Sequence, residues 1–134
     1  MPKTNMTPQE GEEQATLFSW AAMQHWKWPE LLMMYHIPNG GQRNKSEAAR
    51  FKAEGVKRGV PDICLPVARG EFHGLYIELK RKKGGTVSQS QKDWIRFLRE
   101  HGYRAEVCCG WEAASRVISE YMESGTRSVK MKSE

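Results

Sequence analysis

The sequence lacks any apolar run long enough to cross a bilayer, which excludes a membrane-spanning helix. Residues Met1 to Gln14 lack an apolar core between a basic head and a small-residue cleavage site, so they do not read as a secretory leader. A cytoplasmic chain with no membrane partner is the resulting expectation. Cysteine is scarce: Cys64, Cys108 and Cys109 are odd in number and unsuited to a disulfide framework. No C-x-x-C pair is present, and His25, His36, His73 and His101 are scattered without metal-ligand spacing, which argues against zinc. There is no internal repeat, and no helix-turn-helix or zinc-finger signature.

What is present fits one compact domain. The chain has 134 residues, 39% of them hydrophobic and 28% charged, the balance of a globular protein rather than a disordered one. Lysine and arginine outnumber acids 21 to 16, and the resulting net charge of +5 favours polyanionic partners without proving one.

Local signals divide the chain into elements. Thr7-Pro8-Gln9-Glu10 has the form of a capping box with proline in the first turn, so a helix is expected from there to about Trp26–Pro29. It carries Leu17, Phe18, Trp20 and Ala21 on one apolar face. The run from Leu31 to Ile37, bounded by Pro29 and Pro38-Asn39-Gly40-Gly41, reads as a buried strand. A basic helix opens at Asn44 or Ser46 and stops before Gly55. Asp62–Val67 and Leu75–Lys80 form two strands of an antiparallel hairpin with a long tip. Ser88 starts a helix with Trp94, Ile95, Phe97 and Leu98 that closes at Gly102; a strand over Tyr103–Cys108 and a helix over Glu112–Tyr121 follow. This order implies a mixed sheet of about four strands flanked by helices. The domain spans 7–122, with 123–134 as a flexible basic tail.

The hairpin concentrates chemistry. Side chains alternate across a strand, so Glu78 and Lys80 share one sheet face while Ile77 and Leu79 take the other. Antiparallel pairing can set Asp62 opposite Glu78, at the ~5 Å spacing of facing residues. Two carboxylates that close repel unless a cation or a proton lies between them. The bland alternative is a solvated Glu–Lys pair with Asp62 as a turn residue.

The segments Gly59-Val60-Pro61-Asp62-Ile63-Cys64-Leu65-Pro66 and Gly74-Leu75-Tyr76-Ile77-Glu78-Leu79-Lys80-Arg81 resemble the PD-(D/E)xK nuclease superfamily, and within it the virus-type replication-repair nuclease family, VRR-Nuc, in its standalone phage and bacterial form. Glu13-Gln14-Ala15-Thr16-Leu17-Phe18, Ile37-Pro38-Asn39-Gly40-Gly41, Ser88 with Gln91, and Trp94 with Gly102 extend the likeness over about Gln9 to Tyr121. The resemblance implies an α/β restriction-endonuclease-like core and Mg2+ or Mn2+ held by Asp62, Glu78 and the backbone carbonyl of Leu79. Lys80 would orient or activate the attacking water. A helix acid completes such sites, and Glu13 is preferred over Glu12 because it shares a face with Leu17 and Trp20 whereas Glu12 lies about 100° away. A first-turn acid on the helix dipole is the rival reading of Glu13. Gln91 is expected in the site, although with Ser88 it equally forms a capping box.

For DNA contacts, the candidates are Asn39, Arg43, Lys57, Arg58, Arg81, Lys82 and Lys83, the last three favoured because they adjoin the catalytic strand. The implied function is a metal-dependent DNA endonuclease, structure-selective on branched DNA such as four-way (Holliday) junctions, working as a homodimer in a bacterial or phage-infected cytoplasm. The alternatives are a non-catalytic DNA-binding or architectural protein on the same fold, or a nuclease acting on other DNA or on RNA.

Overall fold

A computed structural model describes residues 6–38 and 45–125, with side chains from Gln9 onward. Helix α1 (Met6–Met23) leads into a 3-10 helix (Pro29–Met33) and a short strand β1 (Tyr35–His36). Helix α2 (Lys45–Ala53) precedes the hairpin of β2 (Ile63–Leu65) and β3 (Leu75–Lys80). Helix α3 (Gln89–Glu100), strand β4 (Arg104–Cys109) and helix α4 (Trp111–Ser124) complete the described chain. The four strands lie in the order β1-β2-β3-β4, antiparallel except for the parallel β3–β4 pair joined through α3. This is the mixed, helix-flanked sheet expected from the order of the elements.

The two sheet faces bury different things. Ile63, Leu65, Leu75, Ile77, Leu79 and Cys108 point to one side, where Leu17 and Ala21 of α1 and Ala114, Ile118, Tyr121 and Met122 of α4 close the main core. On the other side α3 lays Ile95 and Leu98 over Ala105, with Tyr76, Trp94 and Tyr103 around them. Beyond that smaller cluster this second face is left to polar groups.

One strand expectation fails. The segment expected as a buried strand over Leu31–Ile37 is instead a 3-10 helix followed by a strand of 2 residues, both exposed. Pro29 fixes the φ that a helical first turn needs, and the buried residues Leu31 and Met34 fall three apart, the 3-10 repeat. Leu32 and Met33 between them face solvent. An apolar run this short fits either structure by composition, and the proline decides it.

Other boundaries move less. Helix α4 continues to Ser124, past the expected end at Tyr121, so Glu123 and Ser124 belong to the helix rather than the tail. The remaining tail, the Asn39–Arg43 loop and the side chains of the Thr7–Pro8 cap lie outside the described residues. The hairpin tip is pinned to α4 and to the 3-10 helix: Tyr121 Oη donates to the Val67 carbonyl at 2.6 Å, and Arg69 reaches Glu30 at 3.0 Å. At the outer edge, Arg99 Nε donates to the Ala105 carbonyl at 2.9 Å, covering part of the open rim of β4.

Candidate active site

Register brings the two carboxylates together. Ile63 pairs with Ile77, so Asp62, one step before β2, falls opposite Glu78. The Asp62 carboxylate is fixed from the hairpin itself, its Oδ2 accepting from the Leu79 amide at 2.8 Å. The Asp62 carbonyl is held from the other side, by the Ile37 amide at 2.6 Å and by His36 Nδ1 at 2.9 Å. Nothing in the sequence pattern marked His36 for this task, because a histidine on a strand of two residues carries no spacing signal.

Glu78 is only 3% exposed and Lys80 9%, the buried charged residues among those described. Lys80 Nζ lies 3.5 Å from Glu78 Oε2, confirming that they share a face. Burial raises the Glu78 carboxyl to about 8, the Asp62 charge adds to the rise, and the Lys80 ammonium opposes it. The exposed-pair alternative therefore fails: this Glu–Lys pair is desolvated and faces a second acid.

Gln91 serves both readings weighed for it. Its Oε1 accepts from the Ser88 amide at 2.9 Å while the Ser88 hydroxyl accepts from the Gln91 amide at 3.2 Å, a complete capping box. Its Nε2 then donates to Glu78 Oε2 at 3.0 Å. One planar amide thus ties the start of α3 to the acid on β3. Gly59 lets the β2 approach pass close: with φ +91, a Cβ there would sit 2.7 Å from the Ser90 carbonyl carbon.

Glu13 stands apart from this group. Its Oε1 accepts from the Trp111 amide at 2.8 Å, capping α4, whose own N-cap residue is Gly110 and supplies no side chain. The dipole in question is that of α4, not of its own helix α1. Gly110 in turn donates to the Lys80 carbonyl at 2.8 Å, so Glu13 sits at the end of the sheet that carries Lys80. Among the described residues no three His, Cys, Asp or Glu side chains are grouped closely enough to hold an ion.

Of the basic candidates, Lys82 is 3.7 Å from Glu112, and Arg81 donates to the Gly84 carbonyl at 2.8 Å while its Nε is buried without a hydrogen-bond partner. Lys57, Arg58 and Lys83 are exposed, and Arg58 offers its carbonyl to Trp94 Nε1 at 3.1 Å. Asn39 and Arg43 lie outside the described residues.

The acids that could meet a hard cation are therefore two, Asp62 and Glu78. Glu78 Oε2 has two donors near it, while Oε1 is buried with no donor, and the one further group the carboxyl can bond is Asp62, by sharing a proton. Two facing carboxylates are the hard oxygen donors that magnesium or manganese takes, and a cation between the acids would satisfy Oε1 and remove their repulsion.

A mixed four-stranded sheet whose central hairpin projects an aspartate, a glutamate and a lysine from one face defines the PD-(D/E)xK class of nuclease folds. The VRR-NUC domain matches residues 9–112, and the chain belongs to that family of nucleases. A solved structure described as a "VRR_NUC domain protein" is 36% identical, with a TM-score of 0.77 over 87% of this chain and 90% of that one. Comparison with curated proteins gives no match.

Proposed function

We propose that the protein is a magnesium- or manganese-dependent endonuclease that hydrolyses phosphodiester bonds in DNA, with Asp62, Glu78 and the Leu79 carbonyl holding the cation. The observation that carries this reading is the buried Glu78 carboxyl, its Oε1 without a donor, set against a second acid whose charge it tolerates only by sharing a proton or a cation. Glu13 is engaged in capping α4 and is left out of the direct ligand set. The cation, when bound, supplies Lewis-acid polarisation of the phosphoryl group and a more acidic water.

The chain's own residues do the rest. Asp62 is pre-set by the Leu79 amide, so its free oxygen is aimed before substrate arrives. Lys80 places an ammonium beside Glu78, where it orients the attacking water and offsets charge developing on the phosphate. Gln91 keeps the Glu78 carboxyl turned towards that point. Arg81, Lys82 and Lys83, following Lys80 directly, receive flanking phosphates, as do Lys57 and Arg58; Asn39 and Arg43 are assigned the same role.

Branched DNA such as a four-way junction is the proposed substrate, cut by a homodimer whose two sites act on symmetric strands. The test incubates the protein with labelled junction, flap and plain duplex, with magnesium, with manganese and with chelator. Metal-dependent cutting biased towards the junction is expected. Equal cutting of all three removes the shape claim, and binding without cutting under every divalent ion favours an architectural protein instead. A matched RNA junction distinguishes the remaining alternative.

A further inference from the structure

Helix α3 needs only one apolar stripe to pack, and Ile95 and Leu98 supply it. A second row on the same helix is aromatic, packed against that cluster at Trp94 and open to solvent beyond it. Trp94 meets Phe97 edge to face with centroids 6.1 Å apart, and Phe97 lies against His101 at 4.3 Å with only 30° between the rings. Phe97 is 50% exposed and His101 is exposed, so the end of the row is available to a flat partner. An isolated surface phenylalanine would need no explanation. Three rings joined in a chain of contacts along one helix do.

Position supplies the explanation. The row begins one turn from Gln91, which touches Glu78, and from there it climbs α3 while turning about 120° around the helix by Phe97, so it leaves the site on the solvent flank. At 1.5 Å of rise per residue, Phe97 lies about 9 Å along the helix from Gln91. That is roughly three stacked nucleotides at ~3.4 Å each. The charge beside it suits a nucleic acid. Trp94 Nε1 is anchored on the carbonyl of Arg58, and Lys57 and Arg58 are exposed on that segment. Two acids flank the rings: Asp93, which is engaged by Arg96 at 3.3 Å, and the exposed Glu100.

We propose that the Trp94, Phe97 and His101 ladder is a platform on which unpaired bases of the DNA substrate stack as the strand leaves the site along the open flank of α3. The platform rests on the nuclease reading and narrows its substrate to DNA with unpaired nucleotides near the cut, as at a branch or a splayed end. Every base has a π face, so such a surface discriminates unpaired from paired DNA without reading sequence.

The test measures binding, under chelator so that nothing is cut, of fluorescent single-stranded DNA, a splayed duplex and a fully paired duplex of equal length. Phe97→Ala and Phe97→Leu are expected to weaken binding of the two unpaired probes by about tenfold, the loss of one stacking contact. Phe97→Tyr restores it, and affinity for paired duplex stays within about twofold throughout. Because Phe97 is half exposed, all three variants are expected to keep the wild-type melting temperature within a few degrees. The platform is overturned if the wild type shows no preference for unpaired probes, if Phe97→Leu binds like wild type, or if all probes weaken equally. A drop in solution mass with unchanged DNA affinity assigns the ladder to self-association and overturns it too. Cutting assays with magnesium on the same variants keep the two readings separate: a wild type that cuts nothing defeats the nuclease assignment, whatever the binding result.

Discussion

The two faces of the same hairpin make opposite bargains. Ile63, Leu65, Ile77 and Leu79 go into a core with α1 and α4 in which side chains are fully covered and apolar. The alternate residues Asp62, Glu78 and Lys80 go to the face under α3, where two acids and an ammonium are crowded and one buried oxygen is unsatisfied. One face maximises stability, and the other gives some of it up to hold charges in a fixed geometry before any ligand arrives. The strand period of two makes this division possible without any change of backbone.

Substitutions on the polar face are expected to have the largest effect, on rate rather than folding. Asp62→Asn and Lys80→Ala should each lower cleavage by about 10^3-fold or more, in single-turnover assays with magnesium, while leaving a cooperative melt. Near-wild-type turnover in either variant would break the division between the faces. The converse holds opposite: Ile77→Ala should cost about 3 kcal/mol in urea unfolding by opening a cavity, with cleavage by the folded fraction retained.

The pH dependence sharpens the contrast. Glu78 titrates at about 8 in the fold against an ordinary 4.5, so the folded chain holds this proton more tightly than the unfolded one. The stabilisation is complete below the unfolded value and is lost as pH rises through the folded one. Without metal, stability should fall as pH rises from about pH 5 to pH 8, by up to about 1.36 kcal/mol per unit, and level off above the folded value. Urea unfolding across the range checks it, and Glu78→Gln should flatten the slope.

Gln91 separates its two tasks with a smaller effect. In Gln91→Glu the new carboxylate still accepts from the Ser88 amide, so the capping box and melting temperature should survive. The same group places a negative charge against Glu78 in place of a donor, so cleavage should fall by about tenfold. Loss of stability without loss of rate would make Gln91 a cap alone.

How much of this was legible beforehand depended on the range of the interaction. Ser88 and Gln91 form a cap whose partners are three residues apart, and alternation in Tyr76-Ile77-Glu78-Leu79-Lys80 fixed which side chains share a face. Both signals are local, and both appear in the structure. The register that sets Asp62 opposite Glu78 depended on the hairpin tip, where Gly70, with φ +57, and the Arg69–Phe72 bridge turn the chain. Spacing alone left it open. Leu31–Ile37 misled because composition cannot separate a short buried strand from a 3-10 turn, and Leu32 and Met33 are exposed against their type. The hold of Glu13 on Trp111, and of His36 on Asp62, join segments distant in sequence, and neither has a local signature.

The most direct test of a cation site on the polar face is isothermal titration of magnesium or manganese at pH 7 in buffers of different ionisation enthalpy. With Glu78 titrating at about 8, most molecules carry its proton at that pH, and binding between the acids must expel it. The expected result is saturable binding with release of close to one proton, abolished in both Asp62→Asn and Glu78→Gln. Binding without proton release, or equal binding by those variants, would contradict the account.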